Sequence, residues 1–194
     1  MPYWINKFLR SMRADFPTVF LKEGLPGEAQ AERLAWEGGM GAYNAGPAGN
    51  MYLHSVLIDN MLYARQNTDI AGSSYNLFKF QAGVSVAHEI VHLLTGFVTG
   101  STQLYTPPKV TLENWGNRLS GEAGRYWGNL LLGGVVEFYS SDNDPLGVRQ
   151  AGTPYLFGTS RPDAIGHRVS MQYIAEMLDD GSRTLTLFLT AFHC

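Results

Sequence analysis

Hydrophobic and polar positions alternate with different periods along the chain, and the periods mark its elements. In residues 3–14, Trp4, Ile5, Phe8, Leu9 and Met12 recur at helical spacing, with Asn6, Lys7, Arg10 and Arg13 between them. That spacing predicts an amphipathic helix ending before Pro17. Residues 18–21 read as a short strand and 28–36 as a helix. Residues 37–50 form a long glycine-rich loop. The apolar run 51–62, with His54 and Asp59 inside it, fits a strand or a helix equally. The strongest helix spans 81–95, and the segment 98–117, with Gly100, Pro107 and Pro108, reads as an irregular loop. A second helix is expected from about 121 to 132, stopping at Gly133-Gly134, then a strand over 135–140. Residues 141–161 read as a loop. Asp163 can cap a helix running to Asp180, and 184–192 alternates as a terminal strand would. The pattern predicts an α+β fold, one domain over 1–194, with a buried central helix, a second helix beside it and a small sheet.

The 81–95 segment carries the chemistry. At 100° per residue, Gln81, Ser85, His88, Glu89, His92 and Gly96 fall within one arc, while Val84, Val86, Ala87, Ile90, Val91, Leu93 and Leu94 are apolar. Lys and Arg are absent from 80–108, although a solvated helix face would carry them. The helix is therefore expected to be buried, with the ionisable groups of His88-Glu89-Ile90-Val91-His92 inside. Such groups are costly to bury unless they are paired or bind a metal. Residues i and i+4 share a helix face, so both imidazoles can bind one divalent ion. Glu89 lies about 100° round the helix and is placed to take a proton from a water on that ion.

This His-Glu-x-x-His helix resembles the active-site helix of the zincin metallopeptidases. The resemblance implies a catalytic zinc, hydrolysis of a peptide or other small amide substrate, and Glu89 as general base. Catalytic zinc usually takes a third protein ligand, and the zincin branches differ in it. Thr95 and Val98 stand where metzincins carry Gly and a third His. In Gly158-Thr159-Ser160-Arg161-Pro162-Asp163 the Asp comes later than in aspzincins, so Asp163 reads first as a helix cap. The gluzincin pattern fits best. Glu122, in Gly121-Glu122-Ala123-Gly124-Arg125-Tyr126, would be the third ligand, with small Ala123 and Gly124 allowing a close helix approach. Glu113 and Glu137 are the other carboxylates considered. Tyr126 stands where gluzincins often place an Asp that supports a ligand His.

A developing oxyanion also needs a donor, and Tyr126, Arg125, Tyr155 and His167 are the candidates. A late-chain His serves this purpose in some gluzincins, which singles out His167; Tyr126 is set beside it as a catalytic candidate. His54 reads as a hydrogen-bonded core histidine, and His193 beside Cys194 as part of a frayed end. The 37–50 loop has no phosphate-binding pattern and is a candidate lid.

Composition narrows the alternatives. Of 194 residues, 45% are hydrophobic and 16% charged, which excludes a disordered chain. The 14 Lys+Arg against 17 Asp+Glu, net −3, argue against a nucleic-acid partner. The single cysteine, Cys194, excludes an internal disulfide and a cysteine-based zinc site. No apolar run of membrane-spanning length is expected, so no membrane partner is, and a cytoplasmic setting is the default in the absence of a signal peptide. The rival readings keep the metal: His88, His92 and Glu122 also suit Fe2+ in non-haem or lyase chemistry on a small molecule, or a non-catalytic binding domain. Glu89 favours hydrolysis, because a structural site needs no base.

Overall fold

The helical spacing at the N-terminus becomes α1, Pro2–Ala14. Its apolar stripe, Ile5, Phe8, Leu9 and Met12, is buried in the main core with Tyr43, Met51, Leu93, Leu94 and Phe97. The computed structural model describes residues 2–100, 105–112, 120–139, 152–158 and 165–179, with residues 2 and 68–74 described by backbone alone. The expected strand at 184–192, Glu113, Asp163 and His193 lie outside these residues.

The first sheet consists of β1 (Thr18–Lys22), β2 (Ala29–Arg33) and β3 (Gly49–His54). Its order is β1-β3-β2, with β1 parallel and β2 antiparallel to the central strand. The segment expected as a helix at 28–36 is thus corrected to β2. Its Ala, Gln, Glu and Arg residues favour helix locally, but the open edge of β3 pairs with them. Glu32 lies opposite Asn50 and accepts hydrogen bonds from Asn50 and from Tyr52. Within the 37–50 loop, Met40–Ala42 form a short 3₁₀ turn.

The ambiguous run at 51–62 contains both structures. β3 ends at His54, and α2 (Ser55–Gln66) begins there. His54 is the N-cap, its Nδ1 accepting from Val56 N–H at 3.2 Å. It is a capping residue at the surface of the first turn, not a core histidine.

The long α3 covers Thr68–Thr99 and contains the expected 81–95 helix. It packs against α2, β2, α1, α4 (Ala123–Leu132) and α5 (Met171–Asp179). Its stretch Tyr75–Thr99 is long and apolar enough to cross a membrane by length and composition alone, although Lys79 and Glu89 leave it no uncharged run of that length. Lys79, His88, Glu89 and His92 interrupt the stretch, and β2, α2 and α4 cover parts of it.

The second sheet, in the order β4-β5-β6, is antiparallel throughout. It comprises β4 (Val135–Tyr139), β5 (Thr153–Phe157) and β6 (Gly166–Arg168). β4 matches expectation. β5 lies inside the span expected as loop, where Pro154 and the flanking glycines mask a short strand. β6 replaces the first turns of the helix expected from 163 to 180. Its pairing with β5 draws these residues into the sheet, and α5 starts only at Met171. The molecule is an α+β protein in which α3 packs on β2 of the first sheet and on α4, and α4 packs on β4 of the second.

Candidate metal centre

His88 and His92 lie one turn apart on α3, so local helix geometry alone sets their rings side by side. Their ring centroids are 5.0 Å apart, and Nε2 of one lies 3.2 Å from Nε2 of the other. Glu122 is the N-cap residue of α4, one position before the helix expected to carry it. Its Oε1 lies 3.0 Å from Nε2 of both histidines. Two imidazole nitrogens and a carboxylate oxygen this close repel through their lone pairs unless protons or a cation lie between them. Ligand atoms bound to zinc at ~2.0–2.2 Å with tetrahedral angles lie about 3.3 Å apart. The measured triangle of 3.0, 3.0 and 3.2 Å is close to one face of such a tetrahedron. Among the described residues this is the group that could hold a metal ion.

Close packing of α4 on α3 makes the triangle possible. Val91, Ala123 and Trp127 form a buried cluster between the helices, with Ala87, Val110 and Leu131 around it. Gly124 lies directly against His88: a β-carbon there would overlap Cγ, Cδ2 and Nδ1 of the ring. The small residues at 123 and 124 therefore have the role expected of them. Glu122 is also held from the other side, its N–H donating to Val110 O at 2.9 Å.

Glu89 is oriented by a partner that the motif does not reveal. Ala31 N–H, on the outer edge of β2, donates to Glu89 Oε2 at 2.7 Å. The other oxygen, Oε1, lies 3.9 Å from His88 Nε2, beside the triangle and not in it. Burial pushes the Glu89 carboxyl above the usual carboxylate range, while the charges of His88 and His92 and the Ala31 N–H act in the opposite sense. For Glu122 burial also acts upward, but the bonds to His88 and His92 and their charge outweigh it and hold this carboxyl well below that range. Two neighbouring carboxylates are thus separated in basicity, the strongly stabilised anion among the ligand atoms and the more basic group beside them.

Of the triangle, His88 lines a cavity of about 380 Å³ together with Glu28, Gln81, Ser85, Glu89 and Arg125, with Glu137 and apolar residues of α4 and β4. Of the oxyanion candidates, only Arg125 lines it, and its guanidinium pairs with Glu137. That pairing also accounts for Glu137, which is engaged outside the ligand triangle. Tyr126 is 39% exposed and absent from the cavity wall. Tyr155 lies on β5, and its ring packs edge-on against Tyr139. His167 is not on a helix but on β6, exposed, beside a different cavity lined by Phe80, Leu156 and Tyr173. Neither of the catalytic candidates Tyr126 and His167 lines the cavity that His88 and Glu89 share. Glu28, Ala31, Arg33 and Thr106 are site residues that no local pattern marked.

No family model, no curated protein and no solved structure matches this chain.

Proposed function

We propose that this protein is a metal-dependent hydrolase, with zinc held by His88, His92 and Glu122, that cleaves peptide or other amide bonds. One observation carries the reading. Three ligand atoms stand 3.0–3.2 Å apart, beside a partly buried carboxylate whose second oxygen is fixed by a backbone N–H.

A zinc ion bound there would acidify water and polarise a substrate carbonyl. The residues of the chain supply the rest. Glu89 Oε1 receives the proton of the attacking water, since Oε2 is engaged with Ala31. Burial raises the basicity of Glu89, which suits a general base working near neutral pH. Glu89 then delivers the proton to the leaving amine. Arg125, fixed on the cavity wall by Glu137, places positive charge where negative charge develops on the carbonyl oxygen. The donor set is also one that non-haem iron accepts; the partly buried carboxylate beside the ligands favours hydrolysis.

The test combines elemental analysis with digestion of a peptide library. Protein purified without chelator should hold about one zinc per chain, and the zinc-loaded protein should cleave where Glu89→Gln does not. A chain that binds no zinc on titration removes the metal centre. A chain that binds zinc yet leaves every peptide and amide intact removes the hydrolase reading.

A further inference from the structure

Metal-ligating histidines are usually oriented through their second ring nitrogen. His92 Nε2 points into the ligand triangle, so Nδ1 is the nitrogen left for support. It lies 3.2 Å from Oγ1 of Thr106. Thr106 is 3% exposed, and its Oγ1 also accepts from Arg33 Nη2 at 3.0 Å. Arg33 belongs to β2, two residues beyond Ala31, whose N–H holds Glu89. Its stem runs along α3 at Gly96, where a β-carbon would come within 2.7 Å of Arg33 Cδ. The backbone of Thr106 accepts from Gly121 N–H at 2.9 Å, next to Glu122. One buried threonine therefore touches the ring of one ligand and the chain just before another.

We infer that Thr106, held by Arg33, is the positioning residue of this metal centre: it fixes the His92 ring for metal binding through Nε2. A guanidinium can only donate, so the Arg33 bond occupies one lone pair of Oγ1. With a metal on Nε2, the other lone pair accepts the His92 Nδ1–H. Without the hydroxyl, Nδ1 loses its partner and the ring can turn Nε2 out of the ligand triangle. The support is neutral at the threonine and cationic behind it. The inference rests on the proposed metal centre.

The experiment measures zinc affinity by competition with a chromogenic chelator, for the wild type, Thr106→Val, Thr106→Ser and Arg33→Met. Thermal melting of the chelator-treated proteins serves as the folding control. Thr106→Val keeps the shape and removes the hydroxyl, and should lose ~10–100-fold in affinity. Thr106→Ser should stay within about threefold of the wild type, and Arg33→Met should fall between, at about tenfold or less. In zinc-loaded wild type, long-range ¹H–¹⁵N correlations should place a proton on His92 Nδ1. Wild-type affinity in Thr106→Val, or a Ser variant as weak as the Val variant, would overturn the inference. If the Val variant does not fold, an unprotonated His92 Nδ1 in the zinc-loaded wild type does the same. A wild-type chain that binds no zinc fails at the metal centre itself, which separates the two readings.

Discussion

Gly124 of α4 lies against the imidazole of His88, with no room between them for a β-carbon. The contact sets how close Glu122 comes to the α3 histidines, since Glu122 caps the same helix. Gly124→Ala should add about 1 kcal/mol of helix propensity but cost about 1–3 kcal/mol in overpacking. The ring of His88 is the group that must yield. Zinc affinity should therefore fall by about tenfold or more, measured by chelator competition, while a far-UV spectrum stays native. An alanine variant with unchanged affinity would show that α4 can retreat without cost to the site.

Glu122 and Glu137 stand on the two sides of this arrangement, one in the triangle and one paired with Arg125. Glu122→Ala should weaken zinc binding by more than the ~10–100-fold typical of a supporting residue. Glu137→Ala should leave zinc affinity within a few-fold of the wild type and act on turnover through Arg125. Isothermal titration of the two variants decides between them, and the reverse order would move the third ligand to β4.

Removing the metal should soften the fold, because the ligands come from α3 and from the start of α4. At free zinc about 100-fold above Kd, binding adds about 2.7 kcal/mol to stability. For a chain of this size that is about 5–10 °C in Tm. Chelator should abolish the increment in the wild type and do nothing to His88→Ala. Equal melting with and without zinc in the wild type would contradict a site shared by two helices.

Glu89→Gln retains an oxygen that can accept from Ala31 N–H, so the side chain should keep its place and the site its metal. The amide is no base, and turnover should fall by about 10²-fold or more. Activity within a few-fold of the wild type, at full zinc occupancy, would take Glu89 out of the mechanism.

Glu28, in the cavity wall, has a carboxyl raised above its usual value by burial, an effect only partly offset by the charge of His54. The folded chain thus holds this proton to higher pH than the unfolded chain does. The contribution to stability is greatest below the unfolded value and falls as pH rises through the folded one. Glu28→Gln should accordingly melt higher than the wild type at pH 7, with the difference shrinking towards pH 4. A variant that melts lower than the wild type at pH 7 would reverse the sign and mean that the charge of His54 outweighs burial.

Much of the candidate site was legible because its geometry is local. His88, Glu89 and His92 are a single turn of helix, and 3.6 residues per turn bring the two imidazoles together wherever that helix forms. The missing Lys and Arg over 80–108 predicted a largely buried helix, whereas within 81–95 only Gln81, Val91, Leu93 and Leu94 are buried and most of the rest are half-buried; small Ala123 and Gly124 beside Glu122 marked a close helix contact. Tertiary structure decided the rest. Residues 28–36 are helix formers by composition, yet they pair with β3, because a strand with an open edge has unpaired backbone groups to satisfy. That pairing delivers Ala31 N–H to Glu89 and Arg33 to Thr106, contacts spanning 58 and 73 residues, for which no local period exists. His167 went astray for the same reason: its sequence suits the start of a helix, and β5 captures it as a strand. The residues that bear the proposed chemistry were set by periodicity along the chain. The groups that orient them were set by which sheet edge and which loop come to rest against α3, and that depends on packing the whole core at once.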